Sequence, residues 1–210
     1  MSVVVIIPAY NEEQTVEKII KTAKTVNLVD RVVVVSDGSV DNTVDVASKT
    51  GVEVIDLKEN IGKGGAMNAG VNACDEDIIV FLDADLVGLE KEHIEGLIKP
   101  VMENKTDMTI GIFSNGKVGT DLAQKVAPFL SGQRALKREL FNSISDIEIS
   151  RFGVEMALTK YVKENAINYQ KVDFDNVTHV TKEKKLSFWK EFFSRMNMYY
   201  DILKNLLVSK

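Results

Sequence analysis

Residues 80–86 read VFLDADL, where an apolar run from Ile78 to Leu82 ends in Asp83-Ala84-Asp85. Side chains alternate along an extended chain, so the two carboxylates point to the same side. Like charges held that close repel each other and resist ionisation unless something positive sits between them. Either two acids fall together in a solvated loop, or the pair seats a divalent cation. Three other clusters carry groups that could work with it: PAYNEE (8–13), SDGS (36–39) and KENIGKGG (58–65).

The glycines of NIGKGGAMNAG suggest phosphate binding, and their spacing excludes two common forms. A P-loop needs glycine five residues before the Gly-Lys pair and Ser or Thr after it. Leu57 and Gly64 stand there. A dinucleotide fingerprint starting at Gly62 needs Gly or Ala where Met67 stands. What is left is a helix N-terminus with Lys63 beside it, which still attracts a phosphate, or a plain glycine-rich turn with a solvated lysine.

The elements that must position these groups alternate. VVVIIP (3–8), RVVVVS (31–36), VEVIDL (52–57), DIIVFLD (77–83) and DMTIGIF (107–113) are short β-branched runs suited to buried strands. Between them lie helical patterns. Val16, Ile19, Ile20, Ala23 and Val26 recur at helical intervals, with Asn11 as the expected N-cap and Glu12 and Glu13 in the first turn. DNTVDVASKT, GGAMNAGVNAC and EKEHIEGLIKPVMEN read as the next three helices. The fold class is therefore α/β, a largely parallel central sheet flanked by helices. Such sheets bind ligands beyond the carboxyl ends of their strands, where all four polar clusters fall. In the second half, 131–141 reads as a short strand leading into a helix, 152–165 as a helix and 167–180 as a strand. Residues 186–208 read as a long amphipathic helix rich in aromatics.

The chain has 210 residues, 45% hydrophobic and 27% charged, which suits one globular domain with an appendage. Its single cysteine, Cys74, excludes an internal disulfide and reads as packing. The net charge of −5 argues against nucleic-acid binding, although residues 180–210 carry +4. No apolar run approaches the ~20 residues of a membrane span. The N-terminus enters a strand with no basic leader, so the expected location is cytoplasmic. The C-terminal stripe of Phe188, Trp189, Phe192, Phe193, Met196, Tyr199, Tyr200, Leu203 and Leu207 suits core packing, a homodimer seam, or peripheral contact with the inner face of a membrane. His93, in EKEHIEG, reads as a surface histidine without a role.

Taken in order, VVIIPAYNEEQTVEKII, VVVVSDGSVDNTVDVA, NIGKGGAMNAGV and IIVFLDADL resemble the successive signatures of glycosyltransferase family 2. The resemblance implies a GT-A-type fold over 1–180, with a nucleotide-sugar-binding half (1–115), an acceptor half (116–180) and a helical extension (181–210). It implies transfer of a hexose from a UDP- or GDP-linked donor, with Mg²⁺ or Mn²⁺ as cofactor. Phosphatases of the haloacid dehalogenase type also pair two aspartates, but on the first strand and with threonine following. By resemblance, Pro8, Ala9 and Tyr10 pack around base and ribose, and Glu12 accepts a ribose hydroxyl. Asp37 accepts the imino hydrogen of uracil or guanine, and Lys63 meets base or diphosphate. Asp83 steadies ribose or metal-bound water, and Asp85 holds the metal. Many relatives have two acids before the Gly-Ser where this chain has Ser36-Asp37, which leaves the base open.

PFLSGQRALKREL, RFGVEMALTKYV and VDFDNVTHVTK resemble, more loosely, the acceptor half of the retaining glucosyl-3-phosphoglycerate synthases and their mannosyl relatives. That resemblance implies Arg134 as an anion anchor, Glu155 as a partner of acceptor or sugar hydroxyls, and His179 as a third metal ligand. The acceptor is then a small phosphorylated molecule. A polyprenyl- or dolichyl-phosphate acceptor is the competing expectation, and a catalytically silent nucleotide-sugar-binding scaffold is the other.

Overall fold

The computed structural model describes residues 1–113, 131–144 and 154–179. The expected alternation is present: β1 (Val3–Ala9), α1 (Val16–Lys24), β2 (Arg31–Asp37), α2 (Thr43–Lys49), β3 (Glu53–Leu57), α3 (Lys63–Asn72), β4 (Ile78–Phe81), β5 (Leu86–Val87), α4 (Lys91–Met102) and β6 (Met108–Phe113). There follow β7 (Arg134–Lys137), α5 (Arg138–Asn142), α6 (Val154–Glu164), β8 (Tyr169–Phe174) and β9 (Thr178–His179). Seven strands form one sheet in the order β3-β2-β1-β4-β7-β6-β8, and β5 and β9 form a two-stranded ribbon. The pairs β1–β2, β1–β4, β2–β3 and β6–β8 are parallel. Strand β7 enters antiparallel between β4 and β6. Residues Met1–Thr178 form one compact unit, and His179 follows directly on its last residue.

All of β1 is buried because both faces of the sheet are covered. Val3, Val5 and Ile7 pack in the layer that holds Ile19 and Ile20 of α1 and Leu97 and Ile98 of α4. Val4 and Ile6 face the other layer, with Met67 and Val71 of α3 and Leu158 of α6. Each such side chain, fully buried, contributes about 1.5–3 kcal/mol. The small residues of α3 let it press on the sheet: a Cβ at Gly70 would stand 2.6 Å from Ile6 Cγ2. The edge strands β3 and β8 are partly exposed and carry Glu53, Asp56, Lys171 and Asp173, which discourage further pairing.

Three expectations are corrected. Helix α1 starts at Val16 with Thr15 as its N-cap, not at Asn11. Asn11 has φ 55°, and its Oδ1 accepts the Val40 N–H at 2.9 Å, so a contact to another loop takes the place of a cap. Glu12 and Glu13 precede the helix and likewise bond across to the segment after β2. The strand expected over 167–180 breaks into β8 and β9 at a turn where Asn176 has φ 59°. His93 has a structural role: its Nδ1 accepts the Glu90 N–H at 3.0 Å in a capping box, and its ring packs 5.0 Å from Phe174. The aromatic stripe from Phe188 to Leu207 lies outside the described residues. Among the described residues no helix is long and apolar enough to cross a membrane.

Candidate donor and metal site

The parallel register brings the ends of β1, β2, β3 and β4 to one edge. Ala9 lies opposite Ser36, and Asp37 opposite Leu57. At the end of β1, Pro8 and Ala9 are buried and Tyr10 is 47% exposed. Glu12 is buried; its N–H donates to Thr43 Oγ1 at 2.8 Å, and Thr15 Oγ1 donates to its Oε2 at 3.2 Å. The segments after β1 and β2 are further joined by Asn11 N–H to Ser39 Oγ at 3.1 Å and by both Asn42 nitrogens to Glu13 Oε2.

Asp37 is buried at the end of β2, and its Oδ1 accepts the Ile61 N–H at 2.8 Å. The next residue, Gly38, has φ 67°, and a Cβ there would stand 2.7 Å from Asn60 N and 2.8 Å from Glu59 C. The backbone of the β3–α3 loop is thus pressed against the β2 end, which sets Asp37 beside Ile61. Gly62, with φ 84°, then turns the chain into α3, whose first residue is Lys63.

Lys63 Nζ pairs with Asp83 Oδ1 at 2.5 Å. Asp85, 3% exposed, follows in the turn after β4, which ends at Phe81, two residues before Asp83. Among the described residues, a carboxylate oxygen from each of Asp83 and Asp85 and a ring nitrogen of His179 lie within 4.8 Å of one another. Lys63 offsets part of the charge on the acidic pair. Two carboxylates and an imidazole form a donor set that fits a hard divalent cation, Mg²⁺ or Mn²⁺, and the imidazole favours Mn²⁺.

Arg134, expected to anchor an anion, is fully buried in β7. Its Nε donates to the Ser131 carbonyl at 2.9 Å and its Nη2 to Thr159 Oγ1 at 3.2 Å. Glu155 lies in the first turn of α6, and its side chain is outside the described residues. Sequence reasoning missed Gly132, which lies directly over the Lys63–Asp83 pair. The available signal was a glycine at the entrance to a strand, a frequent mark of close approach. It also missed Thr43, read only as part of a helix, whose hydroxyl receives the Glu12 N–H.

Comparison with known proteins agrees with this geometry. The chain is 28% identical over 191 residues to the glucosyl-3-phosphoglycerate synthase of Mycobacterium tuberculosis H37Rv, covering 73% of this chain and 58% of that protein. It is 42% identical over 137 residues to the dolichyl-phosphate beta-glucosyltransferase of Drosophila melanogaster, covering 56% and 41%. The chain therefore spans about half the length of these curated relatives. A crystal structure of the mycobacterial synthase with Mn²⁺, uridine diphosphate and phosphoglyceric acid superposes with a TM-score of 0.75 at 26% identity, covering 89% of this chain and 73% of that one. The mostly parallel sheet flanked by helices is thus the GT-A-type arrangement that the motifs implied. Residues 4–162 match the family model of glycosyl transferase family 2, and the chain belongs to that family.

Proposed function

We propose that the protein is a metal-dependent glycosyltransferase that moves a hexose from a UDP- or GDP-linked donor to a phosphorylated acceptor. The observation that carries this reading is the convergence of Asp83, Asp85 and His179 beside Lys63 at the carboxyl edge of the sheet. A divalent cation bound there supplies positive charge against the diphosphate leaving group. Asp85 and His179 hold it, and Asp83 steadies its ligands or the ribose. Lys63, turning from Asp83 to an incoming diphosphate, adds a second positive charge. Asp37 keeps one oxygen on the Ile61 N–H and offers the other to the imino hydrogen of uracil or guanine. Glu12 accepts a ribose hydroxyl, and Pro8, Ala9 and Tyr10 line the base and ribose. Glu155 takes sugar or acceptor hydroxyls. Arg134, expected as an anion anchor, has no exposed surface, and its guanidinium holds the Ser131 carbonyl and Thr159 Oγ1 instead.

The relatives support two classes of acceptor. The match to the mycobacterial synthase with phosphoglyceric acid supports a small phosphorylated acid as acceptor. The 42% identity to a dolichyl-phosphate enzyme supports a polyprenyl-phosphate acceptor as the second reading. A cytoplasmic location fits either reading. The C-terminal stripe would serve homodimer packing in the first and peripheral membrane contact in the second.

The test is release of nucleoside diphosphate from UDP- and GDP-hexoses with Mn²⁺, in the presence of 3-phosphoglycerate or a short polyprenyl phosphate. Acceptor-stimulated release supports the proposal. Nucleotide-sugar binding with neither transfer nor slow hydrolysis would leave the scaffold reading instead.

A further inference from the structure

Gly132 is buried, and a Cβ built on it would stand 2.7 Å from Asp83 Oδ1 and 2.9 Å from Oδ2, and would collide with Lys63 Nζ. Its φ lies outside the left-handed region, so the backbone itself would accept a side chain. What excludes one is the ion pair. Among the described residues, the segment leading into β7 therefore reaches the donor centre as bare backbone.

The turn that carries Gly132 is fixed from several directions. The buried Arg134 guanidinium holds the Ser131 carbonyl and is itself held by Thr159 of α6. The Gln133 N–H donates to Ser131 Oγ at 3.3 Å, and the Gln133 carbonyl accepts the Gly111 N–H of β6 at 2.8 Å. Residues 131–134 are all buried. The height of the Gly132 Cα above the pair is therefore set by β6, β7 and α6, not by the loops that carry Lys63 and Asp83.

We propose that Gly132 is a positioning residue for the donor centre, pressed on the Lys63–Asp83 pair, with Arg134 as the clamp that keeps it there. This rests on the donor reading above. A methyl group at 132 meets both partners: Lys63, on a long flexible stem, swings its ammonium away, and the Asp83 carboxylate, on a short stem, gives by only a few tenths of an ångström. The ammonium then leaves both Asp83 and the place where it can meet a diphosphate. Asp83, relieved of its partner, keeps its full negative charge for a cation.

The consequence is a pair of opposite effects in Gly132→Ala. UDP binding in the presence of Mn²⁺, measured by calorimetry, should weaken by about tenfold, which is about 1.4 kcal/mol. Mn²⁺ alone, followed by electron paramagnetic resonance, should bind at least as tightly as in wild type. The thermal midpoint should stay within a few degrees, since neither backbone strain nor a cavity is introduced. Because the effect runs through Lys63, adding Gly132→Ala to Lys63→Met should weaken UDP binding by less than about twofold more. Unchanged UDP affinity in Gly132→Ala, full additivity with Lys63→Met, a parallel loss of Mn²⁺ affinity, or failure of Gly132→Ala to fold would each overturn the proposal. Wild-type protein that binds Mn²⁺ but neither UDP nor GDP would instead remove the donor reading. The Mn²⁺ comparison then judges Gly132 by itself, weaker Mn²⁺ binding by the variant overturning its role and equal or tighter binding supporting it.

Discussion

Gly38→Ala and Gly51→Ala make a matched pair of perturbations. Both glycines have left-handed backbones, with φ 67° and 76°. An L residue in that conformation costs about 1–2 kcal/mol. At Gly51 nothing lies within 4 Å of the added Cβ, so strain is the whole cost. At Gly38 the Cβ would stand 2.7 Å from Asn60 N and 2.8 Å from Glu59 C, and backbone atoms cannot swing aside as a side-chain end can. The β3–α3 loop must retreat, taking the Ile61 N–H away from Asp37. A hydrogen bond to a charged group is worth about 1.5–3 kcal/mol. Gly51→Ala should therefore lose about 1–2 kcal/mol and Gly38→Ala about 2.5–5 kcal/mol. For a chain of this size that is roughly 2–8 °C against roughly 5–20 °C in thermal midpoint. Urea unfolding gives the energies, and titration with UDP and Mn²⁺ gives the functional half, in which only Gly38→Ala should bind more weakly. Equal stability losses in the two variants would refute the close approach of the two loops and the argument for how Asp37 is placed.

Other outcomes follow from the same geometry. UDP and GDP should bind more tightly than ADP, because Asp37 needs a base that donates from its ring nitrogen; tightest binding of ADP would remove that role. His179→Ala should weaken Mn²⁺ binding with the nucleotide present far more than it weakens metal-free nucleotide binding, and equal Mn²⁺ affinity would take His179 out of the site. Away from the site, the Ser2 N–H at 2.7 Å and the Ser2 hydroxyl hold the Asp77 carboxyl below the usual carboxylate range. A depressed carboxylate contributes stability above its unfolded value, lost as pH falls through its folded one. Asp77→Asn should therefore lower stability slightly at neutral pH, leave it little changed once the wild-type carboxyl is protonated, and so flatten the acid limb of the stability curve below about pH 4; an unaltered acid limb would contradict the pairing.

Much of this architecture is legible in the sequence because β1, β2 and β4 are buried on both faces. Their β-branched runs need no partner to be recognised, and α1 shows its stripe from Val16 to Ala23 plainly. The acids of VFLDADL are legible for the same reason, since the run that precedes them fixes where the strand ends. Features that depend on contacts between distant segments are not legible. Asn11 has the chemistry of an N-cap, yet spends it on Val40, 29 residues on. Nothing local announces that β7 runs antiparallel between β4 and β6 or that β5 pairs with β9. Arg134 reads as a cation for an anion, and its burial becomes visible only when α6 packs over β7. Gly132 matters through two side chains about 50–70 residues earlier, a closeness that only the folded sheet creates.

The most direct test of the account is thermal stabilisation by UDP or GDP, whichever binds more tightly, with and without Mn²⁺, in wild type and in Asp85→Asn. At 100 times its dissociation constant a ligand stabilises by about 2.7 kcal/mol, or roughly 5–11 °C here at about 2–4 °C per kcal/mol. The account predicts that shift in wild type with Mn²⁺, its loss on chelation, and its absence in an otherwise folded Asp85→Asn. A shift in Asp85→Asn with unchanged dependence on Mn²⁺ would contradict the claim that the VFLDADL carboxylates hold the cation that meets the donor.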